Sequence, residues 1–244
     1  RDLGMESGHA ASVKEMLSMA LSRIDGPFTA ADIGCGNGWV CRALEERGDC
    51  LSAMGVDGSE EMIRKAMSRG DGEFHHIRLP GWKPPRKYDL VHSMEFLYYL
   101  HDPLSMLSEV HDHWVAPGGT LVAGVDHYLE NEDSLEWPMG LSVHMTTLSE
   151  AQWKQGMVDA GFEIASHGWR WIDYQYVDEA TEREHIAKAV DAIERMEHNR
   201  RKPISVLPGV ESDLINTYFN FPFDGTINEL VNCHFVRLSS LSLR

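Results

Sequence analysis

Ala31-Asp32-Ile33-Gly34-Cys35-Gly36-Asn37-Gly38-Trp39-Val40 decides the fold of this chain. An apolar, strand-like lead-in ends in Asp-Ile-Gly-x-Gly-x-Gly, and a helix-like run, Val40 to Arg47, follows at once. Glycines at alternate positions let the backbone turn sharply and come close to a ligand with no Cβ between them. The helix that opens behind them offers unpaired N–H groups and a partial positive charge. Strand, glycine turn and helix start together predict a nucleotide cradle at the carboxyl end of a first strand.

The rest of the chain narrows what such a cradle serves. Its 244 residues suit one large α/β domain, and 43% hydrophobic content supplies a sizeable core. With 38 acidic against 22 basic residues the net charge is −16. That field repels phosphate backbones and anionic membranes, so neither nucleic acid nor a membrane is expected as a partner. Cys35, Cys41, Cys50 and Cys233 form no Cys-x-x-Cys pair, the cysteine usage of a reducing compartment. A cytoplasmic location is expected, with organelle targeting by a segment ahead of Arg1 as the alternative. No run is apolar and long enough to span a bilayer, and no metal-ligand spacing stands out.

Outward from the turn, the pattern alternates strand and helix. Val13, Met16, Leu17, Ala20, Leu21 and Ile24 form one apolar stripe and predict a leading helix over 9–24. Leu51 to Asp57 reads as a second strand ending in a carboxylate, with Ser59 as N-cap of the next helix. Glu73 to Leu79 reads as the third strand and Tyr88 to Ser93 as the fourth. A helix opens at Pro103, and Val115 to Gly124 forms a turn and fifth strand. From Val125 to Thr147 no period is visible, and a loop of that length at a strand's carboxyl end is expected to be functional. A helix over 148–160, capped by Ser149, precedes a strand entry at Gly161 to Ser166.

The spacing separates two kinds of nucleotide site. Dinucleotide enzymes use Gly-x-Gly-x-x-Gly, and here Trp39 stands where the last glycine belongs. Asp-x-Gly-x-Gly-x-Gly, then Gly55-Val56-Asp57-Gly58-Ser59-x-x-Met62, then Tyr88-Asp89-Leu90-Val91-x-Ser93, Pro117-Gly118-Gly119 and Ala160-Gly161-Phe162-Glu163 resemble, in that order, the class I S-adenosylmethionine (SAM) methyltransferases of small-molecule type. The resemblance covers roughly residues 28–170. It implies a doubly wound, seven-stranded, mostly parallel Rossmann-like sheet with the last strand antiparallel. Residues 1–171 would be the SAM-binding core with its leading helix, and 231–244 would hold the final strand. Between them, 172–230 depart from the family pattern; a helix over 179–199 and an aromatic cluster at 218–223 are read there as an insertion, either a lid or a dimer contact.

The resemblance also implies residue roles. Asp32 would face the methionine ammonium, with Gly34, Cys35, Gly36 and Gly38 making room for the methionine part and ribose. Asp57 would hold the ribose hydroxyls, beside Gly58, and Met62 would lie against adenine. The family's acid after the third strand is replaced by Leu79-Pro80, so backbone groups or Trp82 would serve adenine. Backbone at Ser93-Met94 would meet the ammonium, and His9 or Met5 of the leading helix could close over the cofactor. The activity implied is methyl transfer to a small molecule, with S-adenosylhomocysteine (SAH) as product.

An activated methyl group asks the protein mainly for alignment and desolvation, with a base only when the acceptor arrives protonated. His127, directly after the fifth strand, is the first candidate base, followed by Glu95 and His144. Tyr98, Asp126, Tyr128 and Trp137 are candidates for the acceptor site; Glu95 and Asp126 with the aromatic faces would suit a cation. Two other readings stand beside this one: a non-catalytic SAM-fold subunit that binds a partner protein, and an NAD(P)-dependent dehydrogenase, which Trp39 opposes.

Overall fold

Four long strands carry near-continuous apolar runs because a central parallel strand is covered on both faces. They are β1 (Phe28–Ile33), β2 (Cys50–Asp57), β4 (Tyr88–Met94) and β5 (Val115–Gly124); the short β3 (Glu73–His76) joins them at one edge. The computed structural model describes residues 2–164, four residues between 180 and 184, and 234–237. The sheet order is β3-β2-β1-β4-β5, with every neighbouring pair parallel. The order then continues to β7 (His234–Arg237) and β6 (Glu163–Ile164), β7 lying antiparallel to β5. The chain runs outward from β1 to β3 and then returns to set β4 against β1. That reversal opens a crevice beyond the carboxyl ends of β1 and β4, the place where open α/β sheets take ligands.

Helices begin where side chains can satisfy their first N–H groups. Ser59 accepts from the Met62 N–H to open α3 (Glu60–Ser68), and Asp102 accepts from the Ser105 N–H to open α4 (Pro103–His113). Ser149 and Gln152 form a reciprocal capping box on α6 (Glu150–Asp159). The first helix, α1 (Asp2–Leu21), starts and stops earlier than the stripe predicts, and turns at 22–23 and left-handed Gly26 follow it. Its Val13, Met16 and Ala20 are buried in the core with Phe28, Leu90 and Val122. The third strand ends at His76, three residues short of the expected Leu79. The stretch without period after β5 folds into a 3-10 turn (Glu132–Ser134) and a short helix, α5 (Trp137–Leu141).

Two compact units divide the chain, residues 1–163 with 231–244, and residues 164–230. The sheet of the first unit is the frame of the site. Most of the expected helix over 179–199, and all of the aromatic cluster at 218–223, lie outside the described residues. Among the described residues no helix is long and apolar enough to cross a membrane, and no group of three His, Cys, Asp or Glu side chains could hold a metal.

Candidate functional site

The three motif glycines do three different jobs. All have positive φ: +78° at Gly34, +53° at Gly36 and +75° at Gly38. A Cβ on Gly34 would come 2.5 Å from the Cβ of Phe96, and one on Gly38 would come 2.5 Å from the Phe74 ring. Those two positions are closed by packing within the protein. A Cβ on Gly36 would meet nothing within 4 Å, so Gly36 is where the turn faces open space. Gly38 also serves as N-cap residue of α2 (Trp39–Glu45), and Arg42 braces the turn by donating to the Asn37 carbonyl at 2.8 Å.

Asp57 ties the end of β2 to this turn. Its Oδ2 accepts from the Gly36 N–H at 2.9 Å and its Oδ1 from the Ser59 N–H at 2.7 Å. Each oxygen keeps a lone pair for a further donor. Gly34 and Cys35 both donate their N–H groups to the Val56 carbonyl, which closes the turn onto β2. The Cys35 side chain is buried, and burial pushes its thiol up, away from reactivity. At Gly58 a Cβ would make ordinary contact, at 3.9 Å, with Arg78 and the Ile77 carbonyl; Met62 is half-buried on α3, Leu79 is half-buried, and Pro80 is exposed.

Asp32 divides its carboxylate between the sheet and the crevice end of β1. It is buried in the sheet, and its Oδ1 lies 2.7 Å from Nδ1 of His92, its register partner on β4. At most the other oxygen is left for an ammonium group. Ser93 is buried and donates its hydroxyl to the Ile33 carbonyl at 3.0 Å, which leaves its backbone as the part available to a ligand. Met94 is half-buried, and its sulfur lies where a Cβ on Gly124 would fall, next to Met16 of α1.

At the carboxyl ends of β4 and β5 a second group assembles. Glu95 has φ +55°, left-handed geometry that a non-glycine residue holds only under constraint. Its Oε2 accepts from the Tyr98 hydroxyl at 2.8 Å, and its Oε1 is buried with no partner. Burial, with the Asp126 charge beside it, pushes the Glu95 carboxyl up to about 8, against the pull of the Tyr98 hydroxyl and the Asp126 backbone N–H. Asp126 is raised by burial too, and His9 of α1 lies within electrostatic reach of it. Tyr98 is itself buried, with its phenol pushed up by burial and by Glu95.

The expected histidine bases fall elsewhere. His127 is fully buried; Nδ1 bonds the Ser134 carbonyl at 3.0 Å and Nε2 bonds the Thr147 hydroxyl at 2.8 Å. Both nitrogens are committed, so His127 pins the loop after β5 instead of reaching an acceptor. His144 is exposed, its ring centroid 3.9 Å from that of His101 at a tilt of 36°, and it is bonded to the Thr146 hydroxyl at 3.0 Å. Trp137 is half-buried with its ring 6.4 Å from that of His127, and Tyr128 is half-buried in the same loop. Residues with clear structural parts here that the sequence reading did not single out are His92, Asn37, Phe74 and Phe96. The parallel register opposite Asp32 could have found His92, since a buried carboxylate needs a partner.

A family model described as a methyltransferase domain matches residues 17–167, from the second half of α1 past α6. The chain belongs to the methyltransferase-domain family. The trans-aconitate 2-methyltransferase of Agrobacterium fabrum is 28% identical to this family member over 131 residues, 53% of the chain and 48% of that protein. The chain thus spans about half the length of the curated relatives it matches. A chain from the complex between the Haloferax volcanii Trm112 methyltransferase activator and a methyltransferase is 34% identical with a TM-score of 0.61, covering 68% of this chain and 73% of that one. A second family model, polysaccharide deacetylase, matches residues 143–214. A Schizosaccharomyces pombe protein provisionally named a polysaccharide deacetylase is 43% identical over 53 residues, 22% of this chain and 17% of that protein.

Proposed function

We propose that this methyltransferase-domain chain binds SAM across the crests of β1 and β2 and passes its methyl group to a small-molecule acceptor at the β4–β5 end. The observation that carries the reading is the pairing of Asp57 with Gly36: a carboxylate fixed by two backbone N–H groups, beside a turn position with nothing within 4 Å of a Cβ. That cradle fits the ribose of an adenosyl compound, and the remaining lone pairs of Asp57 would accept from its hydroxyls. Met62 and Leu79 would flank the base beside Gly58, and the Ser93-Met94 backbone with one oxygen of Asp32 would meet the amino acid end. Bound SAM supplies a methyl group already activated by a sulfonium. The protein then aligns the acceptor, excludes water and takes up a proton, and Glu95 is the group positioned for the last task.

A dehydrogenase reading finds less support. Trp39 opens α2 where a third glycine would admit a pyrophosphate. A reducing compartment such as the cytoplasm suits the free Cys35, Cys41 and Cys50. Calorimetric titration with SAH tests the proposal: one saturable site is expected and none for NADH, and the reverse result would overturn it.

A second reading concerns the expected insertion at 172–230. Its overlap with the polysaccharide deacetylase match over 143–214 favours kinship with that second family over a methyltransferase lid. The Schizosaccharomyces pombe likeness covers 17% of that relative, so this reading is of descent and not of activity.

A further inference from the structure

Once Glu95 is ionised, as it becomes when pH rises through about 8, the β4–β5 end carries an unmet demand for a donor. Glu95 Oε1 is buried without a partner while its other oxygen is held by Tyr98. Phe96, the next residue, packs where a Cβ of Gly34 would be, which sets Glu95 at the lip of the glycine turn. Asp126 arrives from the end of β5, its backbone N–H turned toward Glu95. A buried carboxylate oxygen left empty costs free energy unless a ligand supplies the donor. Two carboxylates side by side ask for a positive one, and they repel a polyanion.

We propose that the acceptor is a small amine that enters as its ammonium ion, received by Glu95 with Asp126 beside it, and that polycarboxylates of the trans-aconitate kind are excluded. This inference rests on the SAM reading above and names its substrate class. The ammonium donates to the empty Oε1 and gives that oxygen one proton as it seats. The freed nitrogen lone pair forms the new N–C bond while the C–S bond breaks, its electron pair staying on sulfur. The positive charge of the sulfonium ends on the methylated nitrogen, and the proton on Glu95 returns to solvent. The groups facing Glu95 are Tyr98 just beyond β4 and Asp126 from β5, with His9 of α1 next to Asp126.

Sinefungin tests this without knowledge of the true acceptor, because it carries an amine where SAM carries its transferable methyl. Titrated beside SAH, it should bind roughly tenfold tighter or better, the gain of a charge-assisted hydrogen bond. Pairing with ammonium requires Glu95 ionised, and its carboxyl sits at about 8 in the free protein. Binding therefore releases a proton, and the preference should grow as pH rises toward 8 and then level off. Glu95→Gln should remove most of the preference and its pH dependence while SAH affinity stays unchanged. Asp126→Asn should reduce it as well, and serves should Glu95→Gln fail to fold. Equal affinity for sinefungin and SAH, a preference that survives both substitutions, or methylation of trans-aconitate would each overturn the inference. Failure of the native chain to bind SAH would instead overturn the reading beneath it.

Discussion

The crest of β1 and β2 and the ends of β4 and β5 lie on the same edge of one sheet, yet they treat their polar groups in opposite ways. At the first, Asp57, Gly34, Cys35, Gly36 and Gly38 bond one another or Val56, so the turn is held before any ligand arrives. At the second, Glu95 sits in left-handed geometry with one buried oxygen that no group of the chain bonds. A site that must hold one fixed cofactor gains from being completed by the chain itself. On the proposed reading, a site that must recognise a variable acceptor leaves a polar group for that acceptor to bond, and Phe96, the residue after Glu95, packs against Gly34.

The sharpest way to break this contrast lies within the turn. Gly34→Ala combines left-handed strain of about 1–2 kcal/mol with an overlap against Phe96 of about 1–3 kcal/mol. Urea unfolding should show the sum, roughly 3 kcal/mol lost. Gly36→Ala carries the strain without the overlap, so it should cost about 1–2 kcal/mol of stability and act chiefly on SAH affinity. Equal stability losses at the two positions would mean that Gly36 is as closed as Gly34, and the cradle would have to be sought elsewhere.

Asp57→Ala comes next. Removing the carboxylate strips the acceptor for ribose and releases the Gly36 N–H, and SAH affinity should fall by about 1.5–3 kcal/mol. Calorimetry measures it, with the unfolding midpoint as control. Unchanged affinity would leave Asp57 a purely structural clamp on the turn.

What the sequence showed and hid follows the same division. The glycine turn, β2 ending at Asp57, and the Ser59 and Ser149 caps were legible because each depends on neighbours within about four residues. So was the parallel α/β sheet, through apolar runs alternating with helical stripes. The pairing of Asp32 with His92 was hidden, because it joins residues 60 positions apart across β1 and β4. For the same reason the glycine at position 34 looked like room for a ligand, whereas Phe96 fills that space. His127 was misread because chemistry suggests a histidine's role while burial decides it; Ser134 and Thr147, on the far side of a loop without period, were not available to a reading of local pattern.

That misreading supplies the last and smallest test, a comparison of His127 with His144. His127 is fully buried with a partner on each nitrogen, so His127→Ala leaves the Ser134 carbonyl and the Thr147 hydroxyl without it. The expected loss is about 1–3 kcal/mol in urea unfolding, together with faster proteolysis in the 125–147 loop. The pH dependence of methyl transfer should keep its shape, because a histidine with both nitrogens committed moves no proton for the acceptor. His144→Ala, at an exposed ring tilted against His101, should stay within about 0.5 kcal/mol of the native protein. If His127→Ala left stability intact and erased a limb of the pH profile, the loop would have to open during turnover and free an imidazole nitrogen. The proposed acceptor end would then draw its base from the loop after β5 and not from Glu95, just beyond β4, and the unbonded Glu95 Oε1 would be a binding feature alone.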